Sequence, residues 1–252
     1  MNVKKLLFNN VISGGGDTPA PTAVLITDSL YTHLDANDIS GKNWHDRMGH
    51  YNFVSDSTLG LTIAAYNLKC EKMLRRYKMA YCSSFKFSAF PFTLEFTVII
   101  SAAQSHSILC SCTTLSKFKI CCNGDNHLGM YSTKASPNEV KGLIPVSSIT
   151  DNSLHVIDFV FVSSGKLLAY LDGVLITTNN STIFSGSMLL QTCSFHLGDA
   201  NDMFIGYLYS FRFYKKELSE YEIRCNCLYE ATQGRTNVSS DTEQSYFLEK
   251  WN

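Results

Sequence analysis

Apolar and polar residues alternate with a period of two along most of this chain, the pattern of strands that bury one face. In 92–100, Phe92, Leu94, Phe96, Val98 and Ile100 share one side and Thr93, Glu95 and Thr97 the other. In 154–178, Val156, Asp158, Val160 and Val162 alternate with Ile157, Phe159 and Phe161. Ser163-Ser164-Gly165 then turns the chain, and Leu167 to Leu171 runs back into Asp172-Gly173. An Asp-Gly pair between apolar runs predicts a tight turn, because both central positions of a type I′ turn need positive φ. Further strands are predicted at 30–34, 61–68, 73–83, 107–113, 118–122, 127–133, 143–149, 188–197 and from 204 onward. In the last of these, Tyr207, Tyr209, Phe211 and Phe213 make an odd-numbered face too rich in rings for a wet surface. That face is predicted to be core, with contact to another subunit as the sharper alternative.

One helix is predicted, at 219–228, where Ser219 and Glu222 form the S-x-x-E capping box and Leu218 precedes it as a hydrophobic staple. Strands about ten residues apart, punctuated by turns, indicate an antiparallel sandwich rather than βαβ units. The predicted fold is all-β: an antiparallel two-sheet jelly-roll sandwich with one short carboxy-terminal helix.

The pattern also divides the chain. Residues 1–22 read as an arm: an apolar tip with Leu6, Leu7, Phe8, Val11 and Ile12, then Ser13-Gly14-Gly15-Gly16 and alternating prolines. Residues 23–230 carry the jelly roll. Residues 231–252 form a polar tail ending in Tyr246-Phe247-Leu248-Glu249-Lys250-Trp251, which can return to pack on the body or on a partner.

Composition narrows the classes. With 252 residues the chain is long enough to bury one large β core. A net charge of −1 with 17% charged residues argues against a general nucleic-acid binder. No apolar run reaches the length of a membrane span, roughly 18 residues, and Asn9-Asn10 interrupts the amino-terminal run before it resembles an export signal. Nine cysteines, an odd number with no C-x-x-C knuckle, read as free, buried thiols of a protein made in a reducing cytoplasm, with a zinc site as the weaker alternative.

Two segments carry a family resemblance. The opening, Ser29-Leu30-Tyr31-Thr32-His33-Leu34-Asp35-Ala36-Asn37-Asp38 followed by Trp44-His45-Asp46-Arg47-Met48-Gly49, is similar to the L-x-L-x-L-D-A-x-D…W-x-D-x-S-G start of domains in phage structural proteins, with Met48 replacing the usual Ser. The close, a hairpin ending in Asp172-Gly173 and then Ile205-Gly206 through Leu218-Ser219-Glu220-Tyr221-Glu222-Ile223, resembles the laminin-G-like, concanavalin A-like jelly roll. Tyr207-Leu208-Tyr209 stands where that family has a turn of small residues, and the likeness spans roughly 24–228. It implies a fold more than a function.

Candidate chemistry is sparse. Glycoside hydrolysis needs paired carboxyl groups, and the E-x-D-x-x-E triple of laminarinase-like enzymes is missing. Glu95 stands alone on its strand and reads as a solvent-facing carboxylate. The resemblance admits a calcium ion on loop carboxylates, for which Asp35 with Asp38 and Asp199 with Asp202 are the available pairs, though all four also suit ordinary turns. Trp44, His45, Asn126 and Tyr131 are the glycan-contact candidates by composition, although the resemblance favours a core position for Trp44. Arg75, Arg76 and Lys78 fit a charged strand edge, or contact with a phosphate or acidic partner. No nucleophile, P-loop or dinucleotide motif occurs.

The function expected from these features is that of a non-enzymatic phage virion protein, a capsid decoration or head/tail fibre component made in the host cytoplasm. Its arm would dock on other virion proteins and its jelly roll would contact host or mucosal glycans. A homo-oligomer is expected, with no cofactor beyond the calcium alternative. The competing readings are a free-standing lectin or adhesin and a degenerate glycosidase.

Overall fold

The computed structural model describes residues 19–55, 63–64, 67–70, 80–87, 90–103, 108–112, 118–122, 126–132, 139–179, 192–198, 205–235 and 240–251. The predicted arm tip at Leu6, Leu7, Phe8, Val11 and Ile12, the cluster Arg75, Arg76 and Lys78, and the pair Asp199 and Asp202 lie outside these residues. The strands are β1 (Leu30–Ser40), β2 (Asn43–Asp46), β3 (Asn52–Val54), β4 (Ile63–Ala64), β5 (Asn67–Cys70), β6 (Ala80–Lys86), β7 (Phe92–Ala102) and β8 (Ile108–Cys112). They continue as β9 (Phe118–Cys122), β10 (His127–Ser132), β11 (Glu139–Pro145), β12 (Leu154–Phe161), β13 (Leu167–Leu171), β14 (Val174–Asn179), β15 (Thr192–Leu197) and β16 (Ile205–Tyr214). Two helices follow, α1 (Glu220–Ala231) and α2 (Ser240–Lys250).

Pairing is antiparallel, and the main path runs β11-β10-β9-β8-β15-β6-β3-β2-β1-β16-β7-β12-β13-β14. It doubles over into two layers, β11 to β3 and β2 to β14, whose facing sides share one core. Across the interface, the Phe195 and Phe211 rings lie 5.3 Å apart, and those of Phe85 and Phe213 5.4 Å apart. Each phenylalanine buried there contributes about 1.5–3 kcal/mol of transfer free energy. The two ends of the path also meet: Thr177 Oγ1 on β14 donates to the Leu143 carbonyl on β11 at 2.8 Å. The all-β sandwich predicted from period-two alternation is the fold observed.

Three local features refine the sequence reading. First, Asp46 organises the opening loop: its carboxylate accepts from the backbone amides of His33, Met48, His50 and Tyr51 at 2.8–3.1 Å. Second, the odd-numbered face of β16 does not run unbroken, because the register with β7 shifts between Leu208 and Ser210. A bulge of this kind exchanges the two sides of a strand. Leu208, Phe211 and Phe213 therefore enter the inter-layer core, whereas Tyr209 has the Arg235 guanidinium 5.7 Å from its ring.

Third, the outer side of the β2–β14 layer is roofed by helix. The capping box of α1 forms as predicted: Ser219 Oγ accepts from the Glu222 amide at 3.3 Å, and the Glu222 carboxylate accepts from the Ser219 amide at 2.9 Å. Ile223, Cys227, Leu228 and Ala231 of α1 then pack with Val156, Val160, Tyr170 and Tyr214 in a second apolar cluster. The sequence predicted one helix, and the structure adds α2, whose polar pattern gives little amphipathic signal. Phe247 is buried in the second cluster, and the Trp251 indole N–H donates to the Asp172 carbonyl at 2.7 Å. Asp172 and Gly173 both take positive φ, 54° and 76°, as their turn requires.

Candidate functional site

Two rows of side chains cross the strands, one on each outward side of the sandwich. Beneath α1, register opposes His33 (β1), Arg212 (β16), Glu95 (β7), Asp158 (β12) and Tyr170 (β13) in turn. Arg212 forms ion pairs with both Glu95 and Glu230, and Asn226 Nδ2 donates to Glu95 at 2.6 Å. Arg235 extends the network, donating to Glu230 at 3.1 Å and to Asp35 at 2.7 and 3.2 Å. Burial and the adjacent Glu95 push the Asp158 carboxyl well above its ordinary range. Burial and the surrounding arginines push His33 down to about 2 and keep it neutral. Burial opposes ionisation of Asp35, but Arg235, the Asn37 amide and Arg47 outweigh it and hold the carboxyl at about 2.

These facts correct the reading of Glu95. It is 0% exposed, as is Asp158, because α1 covers the second side of β7. Two carboxyl groups do stand side by side, but under a helix, and Glu95 is already committed to Arg212 and Asn226. That pair has no surface open to a sugar.

A second buried cluster sits at the Asp-Gly turn. His155 places Nδ1 3.0 Å from Asp172 and Nε2 2.9 Å from Asp151, so both ring nitrogens donate and the ring is an imidazolium. Burial disfavours that charge, yet the two aspartates outweigh it and raise the pKa. Lys250 and Tyr246 of α2 bond the same Asp172 oxygen.

The other row lies across the outer side of the β11–β3 layer. Register opposes Tyr81 (β6) to His196 (β15), His196 to Ser111 (β8), Ser111 to Lys119 (β9) and Lys119 to Tyr131 (β10). Directly opposed residues of antiparallel strands point the same way. The neighbouring positions Cys82, Phe195, Cys110, Cys112 and Ile120 face the core, which places this row outward. Tyr81 and His196 stack at 5.6 Å with 16° between planes, and Lys119 Nζ lies 5.4 Å from the centre of the Tyr131 ring. The two tyrosines and Lys119 are half-buried, while His196 and Ser111 are recessed between them. Ser111 Oγ is buried without a hydrogen-bond partner among the described residues. An aromatic at each end and polar groups along the floor suit a ligand with alternating apolar and hydroxyl faces.

Only part of the predicted site is brought together. Trp44 is 0% exposed, its indole N–H donating to the Asp35 carbonyl at 2.7 Å, so it is a core residue and not a glycan contact. His45 is exposed on β2, five places along the strand path from Tyr131's β10 neighbour β9. Asn126 is exposed at the head of β10, with Tyr131 farther along that strand. Asp35 and Asp38 do not form an open carboxylate pair, since Arg235 holds Asp35 and Arg47 Nε donates to Asp38 at 2.5 Å. Tyr81, Ser111, Lys119 and His196 were missed, because alternation assigns each to a face but not to a common row.

No family model and no curated protein matches the chain. Solved structures do. A Trypanosoma rangeli sialidase bound to 2,3-difluorosialic acid as a covalent intermediate superposes with a TM-score of 0.56 at 16% identity, covering 86% of this chain and 35% of the sialidase. Domain 4 of AbnA, an extracellular arabinanase of Geobacillus stearothermophilus in complex with arabinotriose, gives 0.57 at 17%, covering 78% of this chain and 97% of that domain. The receptor binding domain of botulinum neurotoxin D gives 0.55 at 16%, covering 81% and 52%. The chain spans about a third of the sialidase's length. At such identities the likeness establishes a shared β-sandwich fold.

Proposed function

We propose that this protein is a non-enzymatic, glycan-binding β-sandwich module whose contact surface is the outward row from Tyr81 to Tyr131. The observation that carries this reading is the row itself: two half-buried tyrosine rings flank recessed polar groups on the layer that no described helix covers. Domain 4 of AbnA, which shares the fold, has been solved with arabinotriose, which supports a sugar as the ligand class. The non-enzymatic part rests on the burial of Glu95 and Asp158 under α1. Calcium is not required in this reading, because arginines already engage Asp35 and Asp38.

Display on a phage virion through the amino-terminal arm, with assembly as a homo-oligomer, extends this reading. The opening and closing motifs alone support that extension, and particle assembly by a chain lacking residues 1–22 tests it. For the module itself, the full chain is applied to a glycan array with EGTA present. Retention of defined glycans, weakened in Tyr131→Ala and Tyr81→Ala, is the expected result. Retention of none, or release of reducing sugar from a bound glycan, overturns it.

A further inference from the structure

The strand register allows the ligand to be described more closely, on the premise that the outward row is the glycan surface. Tyr81 and Tyr131 stand on β6 and β10, with β15, β8 and β9 between them. Four strand spacings of about 4.7–4.9 Å separate the two rings by about 19 Å, farther than one sugar ring reaches. Ser111 lies on β8, the middle strand of the five. Its side chain is recessed, at 6% exposure, and its hydroxyl finds no partner among the described residues. A buried hydroxyl in that state is unfavourable, and a ligand hydroxyl would relieve it.

We propose that the row binds a linear oligosaccharide lying across the strands, its end rings against Tyr81 and Tyr131 and an inner hydroxyl bonded to Ser111. A terminal-sugar lectin is the opposite design, with one ring supplying nearly all the affinity. In the cross-strand mode, single rings bind weakly, and affinity climbs until the chain reaches both tyrosines. Ser111 then acts on inner rings only.

The test uses the full chain and isothermal titration with cello-, xylo- and manno-oligosaccharides of one to six rings, joined by the strongest array ligand and its truncation series. The expected result is affinity that rises with length and levels off once about 19 Å is spanned. Ser111→Ala weakens the longer ligands by about three- to tenfold, the size of one neutral hydrogen bond, while leaving single sugars unchanged. Tyr81→Ala and Tyr131→Ala each shorten the length at which affinity levels off, and His45→Ala on remote β2 does not. If the single sugar binds as tightly as its oligomers, or Ser111→Ala affects all lengths equally or none, the cross-strand mode is wrong although glycan binding stands. Absence of binding to every glycan removes the premise as well.

Discussion

The two outward sides of this sandwich are built from the same alternation and meet opposite fates. Under α1, the polar positions of β1, β16, β7 and β12 are sealed from water, and charge there is paired through Arg212, Arg235, Glu95, Glu230 and Asp35. Across β6 to β10 no described helix intervenes. There the polar positions keep rings half-open and leave one hydroxyl unsatisfied. Burial of charge is costly unless every partner is present, so the roofed side is committed to holding the fold. The unroofed side is the one whose rings stay partly open to a ligand.

Substitutions can separate these roles. The largest effect is expected from Arg212→Met, which strands Glu95 and Glu230 in the interior. Breaking a buried ion pair in this way costs about 3–5 kcal/mol, measured as a lowered denaturant midpoint. Glu95→Gln combined with Arg212→Met should recover part of that loss; if the double variant is no better, the network is not the reason.

Gly173→Ala comes next. At φ +76° a new Cβ would stand 2.8 Å from Trp251 Nε1 and 2.9 Å from Arg224 Cγ. The backbone conformation alone costs about 1–2 kcal/mol, and the lowered Tm should come with faster amide exchange in α2 than in α1. Equal exchange in both helices would mean that the turn does not anchor α2.

His155 gives a pH-dependent effect with a definite sign. Its folded pKa is raised above 6.5, so its contribution is fully present below pH 6.5 and is lost as pH rises through the folded value. His155→Gln should flatten that decline in Tm, and an unchanged slope would place the titrating group elsewhere. The smallest change in stability is expected from Tyr131→Ala, within about 0.5 kcal/mol of the parent, although glycan retention falls. A large stability loss there would make Tyr131 a structural residue and erase the contrast between the two sides.

Much of the scaffold was legible because it is local. The alternation in 92–100, the Asp172-Gly173 turn and the Ser219 capping box all depend on neighbours within a few residues. Trp44 and Asp46 were recognisable through the opening motif. What escaped was set by pairing between distant segments. Whether Glu95 faces water depends on α1, more than a hundred residues later, and the helix carries no strong apolar stripe of its own. The bulge at Leu208 to Ser210 exchanges sides without any Gly or Pro to announce it. The Tyr81 to Tyr131 row is an outcome of register, which no single strand encodes.

Strand order also constrains how the molecule is made. β16 lies between β1 and β7 yet is the last of the described strands to be synthesised, so both neighbours emerge from the ribosome with a bare edge where it belongs. Such distant closures are slow and leave adhesive borders open in the meantime. Both edges therefore stay uncovered until the residues up to Tyr214 have been made.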